Sequence, residues 1–168
     1  DLEITTFRTD GVYEDHRHPA AVCFAQTLQE DLARRDFTIN AMAYHPQTGL
    51  VDLFGGRRDL EHGVLRCVGD PAKRFDEDAL RILRALRFAA VLDFAIDAET
   101  AHALSAQKEL LHAVSGERIR EELVRLLCGR SAASVLSSYL DVLAAVIPEL
   151  LPMKGFEQKN PHHIYDVW

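Results

Sequence analysis

The stretch RFDEDALRILRALRF, residues 74–88, combines four arginines and three acidic residues with leucine and alanine, and no glycine or proline interrupts it. At about 100° per residue this spacing predicts one helix, within residues 71–92, with an apolar face turned towards a core. The apolar face consists of Ala79, Ile82, Leu83 and Leu86. The charged residues lie on the opposite half of the helix: Glu77, Asp78, Arg81, Arg84 and Arg87.

Two interpretations of this charged face remain open. Asp78 and Arg81 are i, i+3 neighbours, so they could belong to an ion-pair ladder on a solvated surface. Alternatively, a carboxylate beside a guanidinium presents a hydrogen-bond acceptor next to donors. That pattern complements cytosine and adenine, which offer an amino donor beside a ring-nitrogen acceptor. Uracil and guanine present the reverse, so such a pair would accept C or A and reject U or G.

The distribution of charge favours a phosphate-bearing ligand in the middle of the chain. The net charge of −7 argues against broad coating of a nucleic acid. Residues 34–87, however, hold ten lysines and arginines against eight acidic residues, whereas residues 1–33 and 88–168 are acidic. All but one of those ten cations are arginines, whose planar forks match phosphate oxygens and base edges.

Composition predicts a soluble, globular, cytoplasmic protein. The hydrophobic content is 48%, and no apolar run approaches the roughly 18 residues that a membrane span requires. Cys23, Cys67 and Cys128 are odd in number and far apart, which predicts buried thiols in a reducing compartment.

The order of patterns predicts an α+β chain with a mixed head and an all-helical second half. Residues 2–7 and 20–27 read as strands, joined by a polar loop over 8–19. Thr27 is a candidate N-cap for a helix that follows, with Glu30 at capping-box spacing. Further helices are predicted over 97–113, 115–129 and 131–147, with Asp97 and Ser115 as N-caps and Gly129 as a stop.

Three short motifs accompany the charged stretch. RRDFTIN (34–40) places two arginines beside an acid at the end of a helix, and DLFGG (52–56) offers a glycine turn where backbone could approach a ligand. ERIREEL (117–123) is a helix whose charges could buttress the stripe. Each also has a plain structural interpretation: a C-terminal helix cap, an ordinary turn and a solvated helix face.

Together and in this order, these motifs closely resemble the bacterial tRNA nucleotidyltransferase (CCA-adding enzyme)/poly(A) polymerase family, class II, of the polymerase-β-like superfamily. The resemblance runs from EITTFRTDGVYEDHRHP to KNPHHIYDVW. It implies part of a mixed head over 1–68, a helical neck over 69–130 and the start of a helical body over 131–168.

The resemblance also implies roles for individual residues. Asp78 and Arg81 match the pair that acts as a protein template for the incoming base. Arg35, Arg84 and Arg87 match arginines that contact the nucleotide. Supporting positions are Arg34, Asp36, Asn40 and Glu77. Glu3 matches a carboxylate near the catalytic metals, and residues 10–19 match a loop associated with the switch to the terminal A.

The implied activity is template-independent addition of C and/or A to the 3′ end of tRNA by two-metal phosphoryl transfer. Mg²⁺ is the implied cofactor; ATP, CTP and tRNA are the implied partners, with no membrane partner. The family's Asp-x-Asp metal pair is missing from this sequence, so we expect the 168-residue chain to be inactive alone. Asp93 stands where the family usually has glycine.

Alternatives remain at this stage. The same helix could belong to a poly(A) polymerase that selects A alone, or to a non-catalytic RNA-binding module whose arginines contact only phosphates. Histidines near the end and in the loop are more typical of structural residues than of a metal site: His16, His18, His162 and His163, with Asp166 nearby.

Overall fold

The computed structural model describes residues 6–10, 22–157 and 162. The strands are β1 Arg8–Asp10, β2 Val22–Phe24, β3 Met42–His45, β4 Gly49–Asp52, β5 Val64–Leu65 and β6 Ala95–Ile96. The helices are α1 Leu28–Ala33, α2 Gly56–His62, α3 Pro71–Glu77, α4 Leu80–Leu92, α5 Ala98–Ala106, α6 Gly116–Leu127, α7 Ala132–Ser138 and α8 Leu140–Leu143. Single 3₁₀ segments cover Thr38–Asn40, Lys108–Ala113 and Pro148–Met153. The predicted α+β class is confirmed.

Up to residue 96, the described residues form three two-stranded sheets. β1 pairs with β2 and β3 with β4, both antiparallel, while β5 and β6 are parallel. β1 begins at Arg8, inside the predicted loop, because backbone pairing with β2 continues past Phe7, whose carbonyl accepts from Ala25 N at 3.0 Å. Residues 1–5 and 11–21 lie outside the described residues, and with them most of the predicted strand and loop.

The predicted caps of α1 and α5 are confirmed. Thr27 Oγ1 accepts from Glu30 N at 3.3 Å, and Glu30 Oε2 accepts in return from Gln26 N at 3.0 Å. Asp97 accepts from Thr100 N at the start of α5. Ser115 occupies the N-cap position of α6, but its side chain makes no capping hydrogen bond. The caps at Thr27 and Asp97 determine where α1 and α5 begin.

The prediction of one helix over 71–92 is wrong, because the helix is interrupted at Asp78. That residue has extended backbone (φ −145°, ψ 103°), and its Oδ1 accepts from Leu80 N at 3.1 Å. An aspartate side chain that bonds nearby backbone N–H groups competes with helix continuation and here starts a second helix. The break leaves the Asp78 carboxylate at the start of α4, where it lines one pocket with Leu80 and Arg81.

Other predicted helices are also divided. The helix expected over 97–113 is α5 followed by a 3₁₀ segment, and that over 131–147 is α7 and α8, divided at Tyr139. The α6–α7 turn rests on the end of α4: a Cβ on Gly129 would lie 2.6 Å from the Ala90 carbonyl carbon, so only glycine fits. Asp93 ends α4 in the left-handed conformation (φ 62°), which explains how it serves where glycine is usual.

The core is built around the apolar face of α4, as predicted. Ala79, Ile82, Leu83 and Leu86 are all completely buried, and the cluster extends into the head through Phe37. Phe37 also meets Phe88 edge to face, with 5.7 Å between ring centroids. The head and the first helices of the neck therefore share one hydrophobic core.

Two of the three cysteines have described side chains, and they differ. Cys67 is buried, and burial raises the pKa of its thiol to about 12. Cys128 is exposed at the end of α6, so the prediction of a buried thiol is wrong there. Among the described residues, we find no helix with both the length and the apolar character needed to cross a membrane.

Candidate functional site

A pocket of about 490 Å³ opens where the end of α1 and the following 3₁₀ segment meet the α3–α4 break. Its lining consists of Arg34, Arg35, Asp36, Asn40, Asp78, Leu80, Arg81, Arg84 and Arg118. Five of these nine residues are arginines and two are aspartates, so the pocket has an excess of positive charge suited to an anionic ligand. Of the ten predicted site residues, seven line this pocket.

A buried carboxylate orients the two arginines that follow α1. Asp31 is 4% exposed; its Oδ1 accepts from Arg34 Nη2 at 2.7 Å and its Oδ2 from Arg35 Nη2 at 3.2 Å. Arg35 Nη1 donates to the Asn40 carbonyl at 3.0 Å, so a second acceptor holds this side chain at the pocket. We did not predict Asp31, although its i, i+3 and i+4 spacing to two arginines was a readable signal.

Asp36, the acidic residue of the RRDFTIN motif, binds Arg84 of α4. Asp36 Oδ1 accepts from Phe37 N at 2.8 Å and from Asn40 Nδ2 at 3.2 Å. Its Oδ2 accepts from Arg84 Nε at 2.8 Å and from Nη2 as well. Arg84 is therefore held on Asp36 by two charge-assisted hydrogen bonds, and it also lines the pocket, so its contact with the nucleotide stays a prediction.

Asp78 is supported from α6. Arg118 Nη2 lies 3.0 Å from Asp78 Oδ2 and 3.2 Å from Oδ1, and Oδ1 also caps Leu80 N. The interpretation in which Asp78 and Arg81 form an i, i+3 ion pair on one helix does not hold, because the break at Asp78 removes the helical geometry that such a pair needs. Within the described part of the chain, no hydrogen bond or ion pair joins these two side chains, although both line the pocket.

Arg81 is buried, with 8% of its surface exposed. Its Nη1 donates to Glu77 Oε2 at 2.7 Å and to the Arg74 carbonyl at 3.0 Å. Its Nη2 donates to the Arg34 carbonyl at 3.0 Å. A guanidinium held by three acceptors is fixed in direction before any ligand arrives.

Arg87 does not line the pocket, contrary to the expectation from the resemblance. Its Nε donates to Glu122 Oε2 at 2.5 Å, and its guanidinium lies 3.8 Å from the Phe88 ring centroid. Glu122 is 6% exposed and also lies 4.0 Å from Arg84 Nη1. With Arg118 on Asp78, this contact confirms that ERIREEL buttresses the charged stretch.

The glycine turn of DLFGG packs against protein rather than offering its backbone to a ligand. A Cβ on Gly56 would lie 2.1 Å from the Thr38 carbonyl oxygen. Asp52 caps α2 by accepting from Gly56 N at 2.8 Å and from Arg57 N at 2.9 Å. Burial acts to raise the pKa of Asp52, but backbone N–H donors, with Arg57 first, outweigh it and leave the pKa below its usual 3.8.

Several predicted residues lie outside the described part of the chain: Glu3, residues 11–19 of the loop with His16 and His18, and His163 and Asp166. His162 is described and exposed. Within the described ranges, no group of three or more His, Cys, Asp or Glu residues is arranged to hold a metal ion. The residues described here therefore do not fit the Mg²⁺ that the resemblance implies.

The chain matches two family models. Residues 1–66 match the poly A polymerase head domain, and residues 93–153 match a probable RNA and SrmB-binding site of polymerase A. It is 46% identical over 160 residues to a CCA-adding enzyme of Lactobacillus helveticus, covering 95% of this chain and 40% of that protein. The chain thus spans about 40% of the length of this curated relative.

Solved structures agree with this match. The Bacillus stearothermophilus CCA-adding enzyme in complex with CTP gives a TM-score of 0.71 at 42% identity, over 79% of this chain and 31% of that one. The Thermotoga maritima CCA-adding enzyme with tRNA gives 0.66 at 37% identity, over 73% and 32%. A CCA-adding enzyme with ATP gives 0.66 at 38% identity, over 73% and 30%.

The mixed head, the helical neck and the arginine-lined pocket at their junction define the architecture of a polymerase-β-like nucleotidyltransferase. Within that class, the chain belongs to the tRNA nucleotidyltransferase (CCA-adding enzyme)/poly(A) polymerase family.

Proposed function

We propose that this chain selects the incoming nucleotide in a template-independent RNA nucleotidyltransferase that adds C and A to the 3′ end of tRNA. The observation that carries the proposal is that two separately supported groups, Asp78 and Arg81, line one arginine-rich pocket. Each is held by its own partners and does not depend on the other. Their separate supports leave the pocket edges of both groups available to a base.

The described contacts leave specific atoms for such a base. Arg81 uses both hydrogens of Nη1 and one of Nη2 on protein acceptors, which leaves Nε–H and one Nη2 hydrogen. Asp78 Oδ2 accepts from Arg118 alone among the described contacts, so it retains a lone pair for a donor. An exocyclic amino group would donate to Asp78, and the adjacent ring nitrogen would accept from Arg81.

Rejection of U and G follows from the same inventory. Their carbonyl oxygen would face the Asp78 carboxylate, and their ring N–H would face the Arg81 donors. Each such mismatch leaves a polar group unpaired in a partly buried pocket, at a cost of about 1–3 kcal/mol. Arg34 and Arg35, oriented by Asp31, are the guanidiniums placed to meet the phosphates.

Supporting evidence comes from solved structures of relatives in complex with CTP, ATP and tRNA, which are the three partners proposed for this protein. We also propose the division into head (1–68), neck (69–130) and body (131–168). The first matched model ends at residue 66, close to that first boundary. Mg²⁺ remains part of the proposed reaction, although the described residues do not form its site.

The experiment has two parts. In the first, the 168-residue chain is tested by equilibrium dialysis against CTP, ATP, UTP and GTP in turn; we expect C and A to bind in preference to U and G. In the second, a tRNA ending at its discriminator base is supplied with Mg²⁺ and each nucleotide separately and together. The chain alone is expected to add nothing.

Other outcomes separate the alternatives. Preference for A over C, or addition of A alone, would favour a poly(A) polymerase, which the first matched family model also describes. Equal binding of all four nucleotides would refute base selection and leave a phosphate-binding or RNA-binding module. Addition of two C residues and one A would contradict the expectation that this chain is inactive alone.

A further inference from the structure

Arg74, the first arginine of the charged stretch, is not among the residues that line the pocket. Its Nη2 is 2.7 Å from Glu77 Oε1, while the other oxygen of that carboxylate is 2.7 Å from Arg81 Nη1. One carboxylate therefore bridges two guanidiniums. All three side chains are largely shielded, at 18%, 24% and 10% exposure for Arg74, Glu77 and Arg81.

The same two arginines meet the end of α1. Arg74 Nη1 donates to the Ala33 carbonyl at 3.1 Å, and Arg81 Nη2 donates to the Arg34 carbonyl at 3.0 Å. Carbonyls at a helix C-terminus lack intrahelical partners and carry partial negative charge, so cations are favourable there. The neck thereby holds the segment of the head from which Arg34 and Arg35 project.

We propose that Arg74 is a positioning residue for base selection. Arg74 fixes Glu77, and Glu77 fixes the direction of the Arg81 donors. Through its bond to the Ala33 carbonyl, Arg74 also holds the end of α1, and so keeps Arg81 at a fixed position relative to Arg34 and Arg35. This inference rests on the proposed function and deepens it. Arg74 touches no base in this arrangement and acts through Glu77 and α1.

If Arg74 only stabilised the fold, replacing it would change the free energy of unfolding and leave nucleotide discrimination unchanged. That change in stability should be limited. Arg74 Nε is buried without a hydrogen-bond partner in the described part of the chain, so replacing the guanidinium also removes an unsatisfied polar group and offsets part of the lost contacts. A positioning role predicts that nucleotide discrimination changes while the fold persists. Loss of the bridge lets the Arg81 donors shift relative to Asp78, and directional hydrogen bonds weaken steeply when misaligned.

The test compares Arg74→Met with Arg57→Met. Arg57 pairs with Glu61 at 2.8 Å on α2, at i, i+4 spacing, but its side chain is 70% exposed and lies away from the pocket. We expect Arg74→Met to lower the ratio of CTP and ATP affinity to UTP and GTP affinity about tenfold, the effect of one misplaced buried hydrogen bond. Arg57→Met should leave that ratio within about twofold, as expected for an exposed pair.

Two further measurements keep the inference testable. Arg74→Lys, which retains one donor towards Glu77, should recover part of the discrimination, and it serves if the methionine variant fails to fold. Arginine side-chain NMR of the nucleotide-free chain should show slow rotation of the Arg81 guanidinium in the wild type and faster rotation in Arg74→Met.

The outcomes are distinguishable. A folded Arg74→Met protein with wild-type discrimination, or with unchanged Arg81 rotation, would overturn the role of Arg74 and leave the proposed function standing. A wild-type chain that binds all four nucleotides equally would instead overturn the proposed function. The NMR comparison would then still decide whether Arg74 positions Arg81.

Discussion

Replacing Asp78 with asparagine is the sharpest test of base selection, because it changes charge and donor pattern with almost no change in shape. The amide oxygen can still cap Leu80 N, as the carboxylate Oδ1 does at 3.1 Å in the wild type. The amide NH₂ must then face Arg118 and the pocket, where the carboxylate oxygen accepted at 3.0 Å. An acceptor that would receive the amino group of C or A is thus replaced by a donor.

Two effects of different size follow from this change. Asp78 and Arg118 side chains are 20% and 24% exposed, so losing their ion pair should lower the free energy of unfolding by about 1 kcal/mol. The donor facing the base should cost C and A binding about 1–3 kcal/mol, or roughly 5- to 150-fold in affinity. Binding of U and G should not weaken, since their carbonyl oxygen gains a donor.

Equilibrium dialysis with each of the four nucleotides measures the selection, and thermal unfolding measures the stability loss. Asp141→Asn is the matched control, because Asp141 forms an exposed pair with Lys154 at 3.7 Å, with both side chains 63% exposed. It should change neither property appreciably. A folded Asp78→Asn variant that retains the wild-type preference for C and A would refute the templating argument, whatever its melting temperature.

Three further predictions concern the supports of the site. Asp31→Ala should weaken binding of all four nucleotides by a similar factor, about tenfold, because it releases the two arginines after α1 without touching base selection; unequal losses in dialysis would contradict this. Gly56→Ala should lower the free energy of unfolding, measured by chemical denaturation, by about 1–3 kcal/mol, because the new Cβ would lie 2.1 Å from the Thr38 carbonyl oxygen. Gly116→Ala is the control: a Cβ there would have no atom within 4 Å, so this change should not destabilise the protein. The pKa of Asp52 is lower in the folded chain than its unfolded value of 3.8, so the carboxylate stabilises the fold above pH 3.8 and loses this effect as the pH falls through the folded pKa. The difference in melting temperature between wild type and Asp52→Asn should therefore shrink at acidic pH. A difference that stays constant with pH would contradict the role of Asp52 as a charged cap.

The sequence predicted the core side of α4 correctly and its beginning incorrectly. Apolar spacing is a local periodic property, so Ile82 and Leu86 were found from the helical repeat alone. No glycine or proline lies near Asp78 to indicate that the helix is interrupted there. It depends on a side-chain cap to Leu80 N and on Arg118, which is 40 residues away in sequence. Whether an aspartate continues or interrupts a helix depends on such distant partners, and they cannot be identified from the neighbouring sequence alone.

The same distinction applies to the site. Arg34, Arg35, Asp36 and Asn40 occur in one short motif, and the pocket does bring them together with Asp78. Arg118 was predicted only as part of a buttressing helix, because its position on the pocket depends on how α6 packs on α4. Arg87 was predicted on the pocket from its helical position and the family resemblance, but a buried partner on α6 draws it away.

The charges of residues 74–88 are therefore neither a solvated ladder nor a row of free ligands. An exposed ladder would pair residues along one helix, at a worth of a few tenths of a kcal/mol each. Here Arg84 reaches Asp36 in the head and Arg87 reaches Glu122 on α6, while Arg81 bonds both Glu77 and a head carbonyl. Bonds that cross between elements hold the head and neck in one register. A pocket built at that junction keeps its donors and acceptors in place before a ligand binds, and the base selection that we propose depends on such a fixed arrangement.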